Sequence, residues 1–222
     1  MDNFSKYVFK MVNVNRFLGK KLDCPYSIGE HSYRVACLSM AIVDAYNKEN
    51  KEKINLEEVL RKALIHDMEE TITGDVPSPV KKLGNMREEL RKVSYIIMEK
   101  ILSSSPLPDL YLKMWKEDKD GKTGEVISYA DKLEGLLVCY YELKRGNRYL
   151  EKPFISHVEW FASEDNLNNA KKYSEVIKEL EPVYLYLKEN KEYKAVKEFV
   201  QSEKYKNMEN YFENRSLSQE VA

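Results

Sequence analysis

Three cysteines in 222 residues, Cys24, Cys37 and Cys139, form an odd, widely spaced set with no CxxC pair. That excludes a disulfide scaffold and points to reduced thiols, with Cys37 and Cys139 read as small core residues. Glycine and proline are scarce, at 8 and 7, and no stretch alternates polar and apolar residues for long enough to build a sheet. Neither sign of charge dominates, since 36 Lys and Arg face 37 Asp and Glu for a formal charge of -1. The balance removes the global electrostatic case for a nucleic-acid polymer or a membrane surface as partner. No apolar run approaches the roughly 18 residues of a spanning helix, and the N-terminal segment is too charged for a signal sequence. The expectation is a cytoplasmic protein. A chain of this length buries most of its apolar surface without staples, so any metal is expected to serve chemistry rather than folding.

What is abundant is Leu, Glu, Lys and Tyr at helical spacing, which predicts an all-α chain. A first helix is expected over Phe4 to Leu18, stopped by Gly19, with Pro25 and Gly29 in the following loop. A second is expected from Glu30 or His31 to Asn47, and a third from Asn55 or Leu56 to the Gly74–Pro79 turn. Helices over about Gly84–Ser103 and Asp109–Lys116 precede a long one over Thr123–Lys144, with Ile127, Ala130, Leu133, Leu137 and Tyr141 inward. Another covers Glu164–Leu180, and Pro182 is read as opening the next. A single domain over 1–200 and a polar C-terminal tail over 201–222, mobile in its last dozen residues, complete the expected organisation.

Chemistry concentrates on the inward sides of three of these helices, in His31, the His66-Asp67 pair and Asp131. A buried carboxylate without a partner costs several kcal/mol at least, and one divalent ion would satisfy all four groups. Either histidine alone is better read as a satisfied core residue. Neighbours on a helix point about 100° apart, so spacing permits a site shared by His66 and Asp67 without requiring it.

In order, Gly29-Glu30-His31-Ser32, His66-Asp67 with Glu70, Thr73-Gly74-Asp75-Val76-Pro77-Ser78-Pro79-Val80-Lys81, and Ala130-Asp131 stand in this chain. The set resembles the HD-domain metal-dependent phosphohydrolases, and within them the bacterial 5'-deoxynucleotidase (YfbR-like) branch, over roughly Asn15 to Gly146. The resemblance implies an HD-domain helical bundle with His31, His66, Asp67 and Asp131 as metal ligands and Glu70 acting beside a metal-bound water or the leaving group. It also implies Arg16 on the substrate phosphate and Asp75 lining the nucleotide site. Where the branch usually has tryptophan, this chain has Phe17, a smaller ring at the sugar. Lys81 is read either as a second phosphate cation or as a solvated lysine. No histidine lies between Asp67 and Asp131, and His157 follows the long helix, so one divalent ion (Co, Mn, Zn, Ni or Fe) is expected rather than two. The implied reaction is hydrolysis of deoxynucleoside 5'-monophosphates. The alternatives are a dNTP triphosphohydrolase on the same scaffold and a non-catalytic nucleotide-sensing HD module. The resemblance also implies a homodimer.

Overall fold

The computed structural model describes residues 4–220, with side chains up to residue 215. Helices follow in the order α1 (Phe4–Lys10), α2 (Ile28–Glu49), α3 (Leu56–Ile65), α4 (Glu70–Thr73), α5 (Ser78–Lys81), α6 (Met86–Leu102) and α7 (Pro108–Lys116). The remainder are α8 (Gly121–Lys144), α9 (Glu151–Phe161), α10 (Glu164–Ala170), α11 (Ser174–Glu189), α12 (Lys194–Phe199) and α13 (Glu203–Glu220). No strand forms among the described residues; Asn15 and Ser27 make one isolated antiparallel bridge. None of these helices is long and apolar enough to cross a membrane.

The chain divides into two compact units, Met1–Met40 with Ile54–Ser128, and Ala41–Lys53 with Tyr129–Ala222. In the first unit α7 packs on α3 and α6, and α1 rests on α6. Tyr7, Met11, Ile28, Ile65, Met68, Met98, Ile101 and Leu102 form its core, with Trp115 packed against it. Local chemistry sets α3 well: Asn55 caps it by accepting from Glu58 N (3.2 Å), Glu57 and Glu58 face the positive helix end, and Val59 and Ala63 are buried. Lys62 is buried on the same helix, its Nζ donating to Glu58 Oε1 (2.9 Å) and Thr123 Oγ1 (3.0 Å). In the second unit α9 contacts α10 and α12, and α13 lies on α10 and α11. Tyr129 is packed edge to Trp160 (5.2 Å) and beside Tyr173 (5.5 Å) in its interior.

Several elements differ from the periodicity reading. The first helix stops early: α1 gives way to a 3-10 turn over Met11–Asn13, and Val14 is extended. Ile28 N donates to Val14 O (2.8 Å) and Arg16 N to Tyr26 O (3.0 Å), so tertiary pairing takes the backbone groups a longer helix would use. Gly29 lies inside α2 rather than in a loop, and a β-carbon there would meet Val12 Cγ1 at 3.3 Å and the Met11 backbone at 3.4 Å, a close approach that favours glycine. Tyr141 is 53% exposed, against the expected inward position. Steps of four residues advance 400°, so the stripe through Leu133, Leu137 and Tyr141 drifts about 40° per step, and burial passes to Leu136, Cys139 and Leu143. Pro182 sits inside α11, not at the start of a helix. The expected tail is helical as α13, with Tyr205, Met208 and Phe212 buried; residues 221–222 of it lie outside the described residues.

Candidate active site

His66 and Asp67 stand where α3 ends, not within a continuous helix running to Gly74. Beyond Ile65 the hydrogen bonds shorten to three-residue steps: Met68 N to Ile65 O (3.2 Å), Glu70 N to Asp67 O (3.1 Å) and Thr71 N to Met68 O (3.2 Å). The His66 ring is pinned by Nδ1 against Ala63 O at 2.7 Å. A carbonyl only accepts, so Nδ1 carries the proton and Nε2 presents a lone pair, the form that ligates metals.

His31 comes from the first turn of α2. Glu30 N donates to Ser27 Oγ (3.2 Å) and Ser27 N donates to Glu30 Oε2 (2.8 Å), a reciprocal capping box. The cap fixes where α2 begins and hence where His31 points, into a fully buried position. His31 Nε2, His66 Nε2 and Asp67 Oδ2 then form a nearly equilateral triangle with edges of 3.2, 3.3 and 3.3 Å. Ligand atoms about 2.0–2.1 Å from a tetrahedral ion stand about 3.3 Å apart. The donor set therefore fits one divalent ion without rearrangement.

Around the triangle, the other residues singled out by sequence take definite places. Arg16 Nη1 donates to Asp67 Oδ2 (2.9 Å), the same oxygen that faces both imidazoles. Phe17 is left-handed at φ 56°, and its N–H donates to Asp75 Oδ2 (2.9 Å). Glu70 is buried at the start of α4, where Lys81 Nζ approaches Oε1 at 3.4 Å while Oε2 has no hydrogen-bond partner. Asp131 belongs to the second unit, on α8, and pairs with Lys132 Nζ (3.1 Å). His157, in that unit too, packs on the bare backbone of Gly135, where a β-carbon would lie 2.6 Å from its Cε1.

Electrostatics separate the carboxylates. In the metal-free protein burial pushes Asp67 up, but the protonated forms of His66 and His31, standing where a bound cation would, outweigh it by charge and hydrogen bonding and hold the carboxyl well below its ordinary range. Burial, reinforced by the Asp67 charge, raises Glu70 to about 9 against the pull of Lys81 and Arg16. In the metal-free protein Asp67, in the triangle, is thus ionised and Glu70, beside it, holds a proton, the division that general acid chemistry requires. Sequence reasoning missed two contributors. The Ser27-x-x-Glu30 capping signature was readable and locates the start of α2. Trp115, which donates from Nε1 to Glu69 Oε2 (3.1 Å), comes from α7, and no local signal connects it to the HD pair.

A profile of the family described as 5'-deoxynucleotidase YfbR-like matches residues 3–160. The 5'-deoxynucleotidase YfbR of Salmonella typhi is 28% identical over 150 residues, which span 66% of this chain and 75% of that one. Among solved structures, an HD-domain phosphohydrolase from Listeria innocua matches with a TM-score of 0.66 at 20% identity, over 98% of this chain and 97% of that chain. The HD phosphohydrolase DatZ of cyanophage S-2L, solved with dA and one catalytic Zn²⁺, matches with a TM-score of 0.55 at 15% identity, over 81% and 95%. The two structural likenesses bear out the all-helical HD-domain fold.

Proposed function

Because the chain belongs to the 5'-deoxynucleotidase YfbR-like family, we propose that this hydrolase cleaves 2'-deoxynucleoside 5'-monophosphates to deoxynucleoside and inorganic phosphate. The observation that carries the reading is the triangle of His31 Nε2, His66 Nε2 and Asp67 Oδ2 with Arg16 on the same Asp67 oxygen. His31, His66 and Asp67 would hold one divalent ion, and Asp131 joins them through the family pattern alone. When bound, such an ion polarises a phosphoryl oxygen and lowers the pKa of a water towards about 7. Arg16 offers a planar fork to the phosphate at the triangle's edge, a match that lysine lacks. Water oxygen bonds to phosphorus while the P–O5' bond breaks; Glu70, buried and carrying a proton in the metal-free protein, delivers it to the leaving O5', and a proton released from the attacking water restores Glu70, leaving deoxynucleoside and hydrogen phosphate. Phe17 stands for the sugar side of the site.

One observation favours a second reading. A cavity beside Glu70 is lined by the cations Lys81, Arg87 and Arg91, which suit phosphates beyond the first. A dNTP triphosphohydrolase would use them. Product analysis decides between the two. With Mn²⁺, Co²⁺ or Zn²⁺ supplied, dAMP is expected to yield inorganic phosphate, and Asp67→Ala is expected to lose bound metal and turnover together. Release of triphosphate from dATP with dAMP inert would favour the second reading. Binding without any product would make the protein a sensor.

A further inference from the structure

Asp75 makes a contact that lining a nucleotide site does not require. Its Oδ2 accepts the backbone N–H of Phe17 at 2.9 Å, and Phe17 is the one described non-glycine residue with positive φ, at 56°. A β-carbon disfavours that region, so something must hold the residue there. The flanking backbone is fixed on both sides: Arg16 N donates to Tyr26 O (3.0 Å), and Lys20 N donates to Phe17 O (2.9 Å). Asp75 itself is placed by Gly74, which has φ 73° and donates its N–H to Glu70 O (2.9 Å), closing α4. A single chain of contacts therefore runs from the Glu70 helix through Gly74 and Asp75 to Phe17, then to Arg16 and back to Asp67 Oδ2.

We propose that Asp75 is a positioning residue: by accepting the Phe17 N–H it locks residue 17 in the left-handed conformation that sets the Arg16 guanidinium on Asp67. This rests on the phosphate role of Arg16 proposed above. In this arrangement Asp75 acts on the phosphate end of the substrate, through the backbone, rather than on the sugar or base.

Binding separates the possibilities, measured by calorimetry on metal-loaded protein carrying Glu70→Gln to block turnover of dAMP, with three probes, inorganic phosphate, dAMP and deoxyadenosine. Asp75→Ala is expected to weaken phosphate and dAMP about tenfold, the loss of roughly one good hydrogen bond in placing the guanidinium, while deoxyadenosine stays within about twofold. Asp75→Asn keeps an oxygen acceptor and is expected to retain most of the phosphate affinity. In a Phe17→Gly background the left-handed backbone needs no lock, so the phosphate penalty of Asp75→Ala should shrink to about twofold or less. Equal weakening of deoxyadenosine, or a full penalty in the glycine background, overturns the proposal. If Asp75→Ala does not fold, phosphate affinity in Asp75→Asn and hydrogen exchange at the Phe17 amide decide instead: an amide as open in Asp75→Asn as in a loop, with phosphate binding intact, also overturns it. Phosphate binding needs no turnover, so failure of the deoxynucleotidase reading would show as dAMP inert to the wild-type protein while the Asp75 series still reports on the lock.

Discussion

Glu70 has a strongly pH-dependent position in the site. Its carboxyl titrates near 4.5 when unfolded and is raised to about 9 in the folded protein, first by burial and then by Asp67. Between those values the folded state binds the extra proton, so this group's contribution to stability falls as pH rises from about 4.5 through about 9. The loss has a limiting slope of about 1.4 kcal/mol per pH unit. Glu70→Gln stays neutral throughout. In chelator-treated protein the variant is therefore expected to gain thermal stability over the wild type progressively from pH 5 to pH 9. Melting curves across that range check it, and parallel pH profiles for the two proteins would contradict it. His66 shows the complementary case, in which a single backbone carbonyl, Ala63 O, decides which ring nitrogen carries the proton.

At the level of the element, the start of α2 matters more than its length. Ser27 and Glu30 satisfy each other's backbone N–H groups one residue before His31. Ser27→Ala is expected to cost about 1 kcal/mol, or roughly 2–4 °C in Tm for a chain of this size. Because His31 hangs from the same turn, metal affinity should fall further than that stability change implies. Melting and metal titration of Ser27→Ala test this together, and a lower Tm with unchanged metal affinity would detach the cap from the site. The end of α3 works in the same manner. Had the helix continued through His66 and Asp67, their side chains would diverge by about 100°; the three-residue hydrogen-bond steps after Ile65 accompany the 3.3 Å approach of Nε2 to Oδ2.

For the whole molecule, the principal expectation is linkage between the ion and folding. A ligand that binds only the folded state stabilises by about 2.7 kcal/mol at a hundredfold excess over its Kd, so removing metal with a chelator should lower Tm by about 5–10 °C. Asp67→Ala should abolish the difference between chelated and metal-loaded protein, and an equal shift in that variant would place the ion elsewhere. Much of the architecture was legible in the sequence, because helical periodicity and the scarcity of Gly and Pro leave few other choices, and α6, α7 and α8 begin and end near their expected limits. His31, His66 and Asp67 were legible as a set because their chemistry has few uses together. Arg16 and Phe17 were legible as residues but not as geometry: periodicity put them in a helix, whereas pairing of Asn15 with Ser27 pulls them into a loop. Trp115 was beyond reach, since its bond to Glu69 spans 46 residues and depends on how α7 packs.

The short stretch from Asp67 to Asp75 is anchored at both ends, with Asp67 in the triangle and Asp75 on the Phe17 N–H. Its length is therefore as constrained as its composition. One residue inserted or deleted there cannot be absorbed by a swollen loop, because either Asp67 leaves the two imidazoles or Asp75 leaves Phe17. Insertions between α6 and α7 face no such double anchor. Among descendants of this sequence, gaps should accumulate in the second place and be purged from the first, whatever happens to the individual side chains.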